Sequence, residues 1–278
     1  SGRDTLSSIE NIIGSDYLDT FGRLGDKLNG SNADNYIDGR GADDDIYGYG
    51  GNDHLLGGSG YDRISGGDGD DRIEGGSGPD DLWGDGGDDL IIGGSGVNYI
   101  DGGDGNDRIV SQSDGDTGVG GNHNDIFFLY GSGSYNGDHG DDLFVMRDLG
   151  RGNLNGGIGI DTVSYAERDM PIRADLNTTV TTYINGFGDD FLTFSDGVSQ
   201  IENLHGSKVG DIIKGTSGTN ELFGGGGNDV IEGREGDDTI RGSSGDDELD
   251  GGDGVDTVDY SDTPAGVDVR LYQSTQQN

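Results

Sequence analysis

The chain contains 278 residues with a formal net charge of −39, and it has 60 glycines, 29% hydrophobic residues and no cysteine. This acidity excludes nucleic acid as a partner, because phosphates are bound by basic surfaces, and the absence of cysteine excludes disulfides and thiolate metal sites. No apolar run reaches the ~18 residues of a membrane-spanning helix, so no membrane insertion is expected.

The first predicted element, residues 1–13, is half of a linker between repeat blocks. Ser7–Phe21, SSIENIIGSDYLDTF, matches an internal segment, Ser199–Ile213, SQIENLHGSKVGDII. The internal copy lies between two series of repeats. The match therefore predicts that residues 1–13 are the second half of such a linker.

A nine-residue repeat fills the second predicted element, residues 14–165. In the stretch Gly57–Gly84, GGSGYDRISGGDGDDRIEGGSGPDDLWG, glycines, an aspartate and an aliphatic residue recur every nine positions. When the aliphatic residue is numbered as position 8, the repeat reads G-G-x-G-x-D-x-U-x. The residues at position 8 are Leu28, Ile37, Ile46, Leu55, Ile64, Ile73, Leu82, Ile91, Ile100 and Ile109.

This repeat predicts short strands joined by glycine-rich turns. The three residues around position 8 form a strand with the aliphatic side chain inward, and the other six form a turn in which glycines adopt backbone angles closed to other residues. Consecutive turns lie on opposite edges, so one coil takes eighteen residues. The predicted fold is all-β: a parallel β-roll, or β-solenoid, in two blocks joined by an irregular β insert.

The turns also predict metal binding. They direct carbonyl oxygens and the position-6 carboxylate into one space, and six to eight oxygen ligands favour Ca²⁺ over zinc or magnesium. The repeat resembles the RTX calcium-binding repeats of proteins exported by Gram-negative bacteria. This resemblance implies that each position-6 aspartate binds Ca²⁺ with main-chain carbonyls of two stacked turns. The alternative is that these aspartates only form turns, as aspartate often does.

The candidate calcium ligands share position 6 of the repeat or its equivalent. They are Asp19, Asp44, Asp53, Asp62, Asp71, Asp80, Asp89, Asp107, Asp125, Asp142, Asp161, Asp211, Asp229, Asp238, Asp247 and Asp256. Asparagine, which lacks the charge, is expected to form weaker sites at Asn35, Asn98 and Asn220.

Residues 111–155 are predicted to continue the roll irregularly. Asp116 is in register, but its unit lacks the aliphatic residue. Aromatic residues such as Phe127, Phe128 and Phe144 are expected to widen the core. Some ions are expected to be missing here.

The remaining elements complete the predicted organisation. Residues 166–205 contain no nonapeptide, and the alternation in Ile172–Leu176 predicts ordinary antiparallel strands. The repeat returns in a second roll, residues 206–260. Residues 261–278 begin a further linker and are expected to be poorly ordered. We expect a monomer, unless the half-linkers of neighbouring molecules complete one another head to tail.

The sequence contains no recognisable catalytic constellation, since its histidines are scattered and neither H-E-x-x-H nor G-x-S-x-G occurs. One surface feature stands apart. Positions 7 and 9 should face solvent, yet Leu90 and Ile92 are apolar on one face, and Trp83 and Tyr99 are aromatic on the opposite face. Either another segment covers these side chains, or they contact a protein or glycan ligand.

These features predict a non-enzymatic calcium-binding module of a secreted or surface-attached bacterial protein. At a charge of −39 the calcium-free chain repels itself, and the resemblance implies export in the unfolded state by a type I secretion machinery, followed by folding outside the cell. RTX arrays also accompany proteases, lipases and alginate epimerases. The alternatives are therefore the non-catalytic part of a secreted enzyme, or an adhesin or surface-layer segment.

Overall fold

A computed structural model describes residues 9–16, 25–147, 151–177, 179–184, 192–261 and 263. These residues form β-strands and turns, with no helix among them, so the described part of the chain offers no long apolar helix that could cross a bilayer. The strands lie in two sheets that face each other across a thin core.

Sheet 1 contains strands that are neighbours in space but alternate along the chain. In spatial order it holds β1 (Asn11–Ile13), β3 (Tyr36–Asp38), β5 (His54–Ser59), β7 (Arg72–Ser77), β9 (Leu90–Ser95), β11 (Arg108–Ser111), β13 (Ile126–Leu129), β15 (Leu143–Met146), β17 (Thr162–Ser164), β21 (Asn203–His205), β23 (Glu221–Gly226), β25 (Thr239–Ser244) and β27 (Thr257–Val258).

Sheet 2 takes the intervening strands. In spatial order it holds β2 (Lys27–Ser31), β4 (Asp45–Gly50), β6 (Arg63–Asp68), β8 (Asp81–Gly86), β10 (Tyr99–Asp104), β12 (Asp116–Asn122), β14 (Ser132–His139), β16 (Arg151–Ile158), β20 (Leu192–Ser199), β19 (Thr179–Ile184), β18 (Ile172–Asp175), β22 (Ile212–Lys214), β24 (Val230–Glu235) and β26 (Glu248–Asp253).

The register confirms the predicted β-roll with eighteen residues per coil. Leu55 of β5 pairs in parallel with Ile73 of β7, and Ile73 pairs with Ile91 of β9. All three side chains are fully buried. Each regular coil thus contributes one aliphatic side chain from each sheet to the core, and the parallel main-chain ladders supply the remaining cohesion.

Residues 111–155 continue both sheets and carry a wider core. Phe127 and Phe144 are fully buried and stack with ring centroids 4.7 Å apart. The prediction that Phe128 also widens the core is wrong. Phe128 is at position 9, so it points outward and is half-buried, with the guanidinium groups of Arg108 and Arg147 over its ring. Strand alternation places its neighbour Phe127 inside instead.

The insert joins the rolls without interrupting the sheets. β18 pairs antiparallel with β19, and β19 pairs antiparallel with β20, as the alternating pattern predicts. β17 pairs in parallel with β21 across the insert. Stacking is therefore continuous along sheet 1, while the insert adds antiparallel strands to sheet 2. The domain boundaries drawn from the sequence stay a prediction.

Several sequence predictions fall outside the described residues. They concern most of the two half-linkers, and they include the candidate ligand Asp19.

Candidate metal sites along the edges of the roll

Two rows of hydrogen bonds join the position-6 side chains. Edge 1 is the row of turns that precede the strands of sheet 1, and edge 2 is the row that precede the strands of sheet 2. On edge 1 the main-chain N–H of Asp53 donates to Oδ1 of Asp71 at 2.7 Å. This bond recurs along edge 1 through Asn35, Asp53, Asp71, Asp89, Asp107, Asp125, Asp142 and Asp161. On edge 2 it joins Asp26, Asp44, Asp62, Asp80, Asn98 and Asp116.

The second roll repeats the arrangement. On edge 2 the N–H of Asp211 donates to Asp229, and that of Asp229 donates to Asp247. On edge 1 the corresponding row is Asn220, Asp238 and Asp256. Each turn lies on the edge that the nine-residue spacing predicts.

The second carboxylate oxygen, Oδ2, is buried in most of these turns and has no hydrogen-bond partner. Unpartnered buried polar atoms are rare in folded proteins, because each forfeits its hydration without compensation. Among the described residues, this state is shared by the Oδ2 atoms of Asp44, Asp53, Asp62, Asp71, Asp80, Asp89, Asp107, Asp125, Asp142, Asp161, Asp229 and Asp238. A repeated orphan of this kind indicates a place where a cation can bind.

A main-chain carbonyl of the next turn borders the same space as the orphaned oxygen in all of these turns except that of Asp229. Beside Gly57, a Cβ atom would lie 2.5 Å from Oδ2 of Asp62 and 2.6 Å from the carbonyl oxygen of Gly75 in the next turn. The space that the missing side chain leaves is therefore bordered by oxygens of two stacked turns. We call each such space a cradle: the position-1 glycine, its own position-6 carboxylate and the position-1 carbonyl of the next turn. A cradle therefore requires glycine at position 1, because a side chain there would occupy the space between these oxygens.

Burial without a counter-charge raises the pKa values of these carboxylates. It raises the pKa of Asp89 and Asp125 to about 8, and that of Asp62 and Asp71 to about 7. The hydrogen bond from the preceding turn opposes this effect, and neighbouring carboxylates add to it. The ionised form is thus unfavourable unless a cation neutralises it.

Comparison with protein families identifies the repeat. A family model described as the RTX calcium-binding nonapeptide repeat, in four copies, matches residues 22–55, 47–82, 74–109, 83–118, 205–240 and 232–262. These matches cover more than half of the chain. The chain belongs to the RTX calcium-binding repeat family. No curated individual protein matches it.

RTX nonapeptide repeats bind calcium, so Ca²⁺ is the cofactor of this chain. The donor set fits, because carboxylate and carbonyl oxygens are the hard ligands that Ca²⁺ takes. The described residues contain no group of three or more His, Cys, Asp or Glu side chains placed around one point. The cradles instead combine one carboxylate with main-chain oxygens. An RTX β-roll is a non-catalytic structural module, and RTX repeats are typical of secreted bacterial proteins.

Not every RTX turn leaves its side-chain oxygen free. In the turn that ends at Asp62, position 2 is Gly58 with φ 108°, in the left-handed region. In the turn that ends at Asp211, position 2 is Ser207, whose N–H donates to Oδ2 of Asp211 at 2.5 Å and whose hydroxyl donates to Oδ1 at 2.9 Å. Protein groups therefore satisfy both oxygens of Asp211.

We call turns of this second kind capped turns. Ser31 caps Asn35 in the same way, with its N–H 2.6 Å from Oδ1, and Thr216 caps Asn220 at 2.7 Å. The capped turns of Asn35, Asp211 and Asn220 lie near the first coils of the two rolls. At Asn98, the third asparagine, the amide nitrogen rather than the oxygen faces the position-1 glycine.

Two members of the rows are absent from the candidate ligands. Asp26 and Asp116 carry the same row hydrogen bonds as the other position-6 residues. Oδ2 of Asp116 accepts from the hydroxyl of Ser111 at 2.6 Å, which makes this turn self-satisfied as well. The nine-residue spacing of Asp26 and Asp116 was the sequence signal that could have placed them among the candidate ligands. Asp247 and Asp256 lie on the last coils and are only half-buried.

A second row of side chains, at position 5, was not predicted. On edge 1 the N–H of Asn52 donates to Oδ1 of Asp34 at 2.9 Å, and the N–H of Asp88 donates to Oδ1 of Asp70 at 3.0 Å. These bonds run from the later turn to the earlier one, opposite to those at position 6. The two rows therefore fasten each pair of turns in both directions. Their sequence signal is the Asx-Asp pair that recurs every eighteen residues along edge 1.

The suggested contact surface is half-buried rather than exposed. Trp83 and Tyr99 lie on the outward face of sheet 2 with ring centroids 6.1 Å apart. Leu90 and Ile92 lie outward on sheet 1, and all four side chains have intermediate exposure. The described strands of residues 111–155 extend the two sheets beside these residues. A ligand at this surface stays a prediction.

Proposed function

We propose that this chain is a calcium-binding module of a secreted or surface-attached bacterial protein, disordered without Ca²⁺ and folded by it outside the cell. The observation that carries the proposal is the set of buried, unpartnered Oδ2 atoms, all but that of Asp229 lying beside a space that a carbonyl of the next turn also borders. Such a structure is costly without cations, because every coil buries negative charge.

The net charge supports coupling between calcium and folding. At −39, the unfolded chain is held apart by its own repulsion, and its few apolar side chains form only a thin core. Extracellular calcium sites typically have Kd values of about 10⁻⁴–10⁻³ M, so millimolar calcium would fill them whereas the low calcium of a cytoplasm would not. Binding free energy then supplies the folding free energy.

Under this proposal the candidate ligands include one group that binds calcium and another that does not. The aspartates with an orphaned Oδ2 bind calcium, whereas Asp211, Asn35 and Asn220 serve as metal-free starting turns because their caps replace the ion. The module itself performs no catalysis, and any activity or further ligand belongs to the parent protein. Export by a type I machinery fits a chain that stays unfolded before it meets calcium.

Far-UV circular dichroism of the purified chain tests the proposal. The chain is titrated from chelator to millimolar calcium, with magnesium as the control. We expect a cooperative transition from coil to β-structure with calcium alone. A chain that is already folded in chelator would show that the turns need no ion and would overturn the proposal.

A further inference from the structure

The end of the insert stacks on a regular RTX turn although it is not a nonapeptide. Asn155 pairs with Ser199, and Thr162 pairs with Asn203. The six residues 156–161 are therefore matched by only three, residues 200–202. The two parts of the chain are separated by the whole insert, yet they occupy consecutive turns of edge 1.

This short turn supplies the oxygen that a cradle needs. The Oδ2 atom of Asp161 is buried and has no partner. A Cβ atom on Gly156 would collide with that Oδ2 and with the carbonyl oxygen of Gln200. In the regular turn before it, the equivalent space beside Gly137 is bordered by Asp142 and by the carbonyl of Gly156. Gln200 thus takes the place of the position-1 glycine of the next turn.

Glu202 takes the place of the position-6 aspartate. Its Oε2 accepts the N–H of Asp161 at 2.9 Å, just as Oδ1 of Asp161 accepts the N–H of Asp142 at 2.8 Å. The three-residue turn is shorter than the regular one, and the extra methylene of glutamate lets the carboxylate reach the same position. The main-chain carbonyl of Glu202 accepts from Nδ2 of Asn220 at 2.6 Å, so edge 1 continues into the second roll.

We propose that Asp161, the carbonyl of Gln200 and the carboxylate of Glu202 form a calcium site that fastens the second roll to the first across the insert. The proposal rests on the proposed function, since it assumes that cradles of this kind hold calcium. It differs from the regular sites because two of its three named ligands, those from Gln200 and Glu202, come from outside the nonapeptide repeats. The carboxylate of Glu202 also lies close enough to Asp161 to act on it electrostatically, so two negative charges lie near this space.

The test uses the full chain and two measurements at increasing calcium. Native mass spectrometry counts bound ions, and hydrogen exchange reports the calcium midpoint for the strands of residues 53–110 and 203–250. The main variant is Glu202→Gln, which keeps an acceptor for the N–H of Asp161 but removes the charge. Glu221→Gln, an exposed glutamate further along edge 1, is the matched control.

We expect Glu202→Gln to bind one ion fewer and to require more calcium to protect residues 203–250, with the midpoint for residues 53–110 unchanged. Glu221→Gln should match the wild type. An unchanged ion count and coincident midpoints in Glu202→Gln would overturn the proposal. If the wild type itself binds no calcium, the proposed function fails instead, and the two failures are thereby distinguished.

A double variant keeps the test decisive if Glu202→Gln folds poorly. Asp161→Asn should lose an ion, and the combination of Asp161→Asn with Glu202→Gln should lose no further ion, because both residues serve one site. Loss of two separate ions in the combination would overturn the shared site.

Discussion

The two edges of the roll differ sharply beyond Asp107. Edge 1 keeps its cradles at Asp125, Asp142 and Asp161. On edge 2 the position-1 glycine is replaced by inward side chains, which are Ser111, Leu129, Met146 and Tyr165, all fully buried. The parallel ladders run through both regions without a break. The turns along an edge can thus be stabilised either by ions between carboxylates or by apolar side chains that fill the same space.

The difference follows from what occupies the start of each turn. A glycine leaves room for two oxygens and a cation, whereas Leu129 and Met146 fill that room with hydrocarbon and extend the core. The strands that follow on sheet 2, β14 and β16, contain eight residues instead of the six of β10. Under the proposed function, residues 126–165 should therefore depend on calcium at one edge only, and residues 36–110 at both.

Removal of calcium should have the largest effect and should separate the two regions. Each ion held at a hundred times its Kd contributes about 2.7 kcal/mol, so loss of many ions exceeds the stability of the roll. As chelator lowers the calcium concentration stepwise, amide exchange should become unprotected in β5 and β7 first and should stay slower in β13 and β15, where the apolar edge remains, until the whole chain unfolds. Equal exchange rates in both regions would show that the apolar edge gives no independent support.

Phe144→Ala should have the next largest effect. The fully buried ring stacks on Phe127, and removal of a buried phenylalanine typically costs about 3–5 kcal/mol. Denaturant unfolding in saturating calcium measures the loss. Phe128→Ala, from the outward half-buried position, is the control and should cost less. The reverse order would contradict the assignment of Phe127 and Phe144 to the core.

Asp89→Asn should remove one calcium ion, whereas Asp211→Asn should remove none. Asp89 has an orphaned Oδ2, but serine caps both oxygens of Asp211. The calcium midpoint of folding should rise for Asp89→Asn, and native mass spectrometry should count one ion fewer. An ion lost with Asp211→Asn would show that the capped turn opens to bind metal.

Acidification should partly replace calcium. The folded-state pKa values of Asp89 and Asp125 are about 8, well above the ordinary value of 3.8. Between pH 3.8 and about pH 8 the folded chain binds more protons than the unfolded chain. Without metal, the free energy of unfolding therefore increases as the pH falls through this range and decreases as the pH rises towards 8. In chelator, circular dichroism should show more β-structure at pH 5 than at pH 8. A signal that does not vary with pH would contradict the burial of these carboxylates.

Asn124→Ala tests the weakest interaction. Its exposed side chain accepts the N–H of Asp141 at 2.9 Å, and a single hydrogen bond of this kind contributes about 0.5–1.5 kcal/mol. We expect a loss in that range in saturating calcium, with an unchanged number of bound ions. A lost ion would place position 5 in the metal site.

Regular spacing made much of this structure predictable. The aliphatic residue at position 8, with aspartate two places earlier, determines the strands, the edges and the rows, because every unit obeys the same geometry. The capped turns could not be predicted with the same ease. Asp211 and Asp229 both end a turn that begins with glycine, and the difference that matters is one residue at position 2, which is Ser207 in the first turn and Gly225, with φ 97°, in the second.

Two further features could not be predicted from the sequence, for different reasons. Glu202 pairs with Asp161 across the insert, and no periodicity links residues separated by such a segment. Phe128 lies beside Phe127 in an apolar run, IFFL, where hydrophobicity alone cannot tell the inward side chain from the outward one. For Glu202 the missing information was a contact between distant segments, and for Phe128 it was which residues of the strand point inward.

The eighteen-residue register also constrains how such a gene can change in length. Loss or duplication of nine residues preserves every local motif, but it moves each later turn to the opposite edge. The Asx residues at position 5 would then face turns that lack them, as at Tyr61, Pro79 and Val97 on edge 2. Duplication of eighteen residues keeps both rows intact. Recombination within this array should therefore be tolerated in whole coils and selected against in halves.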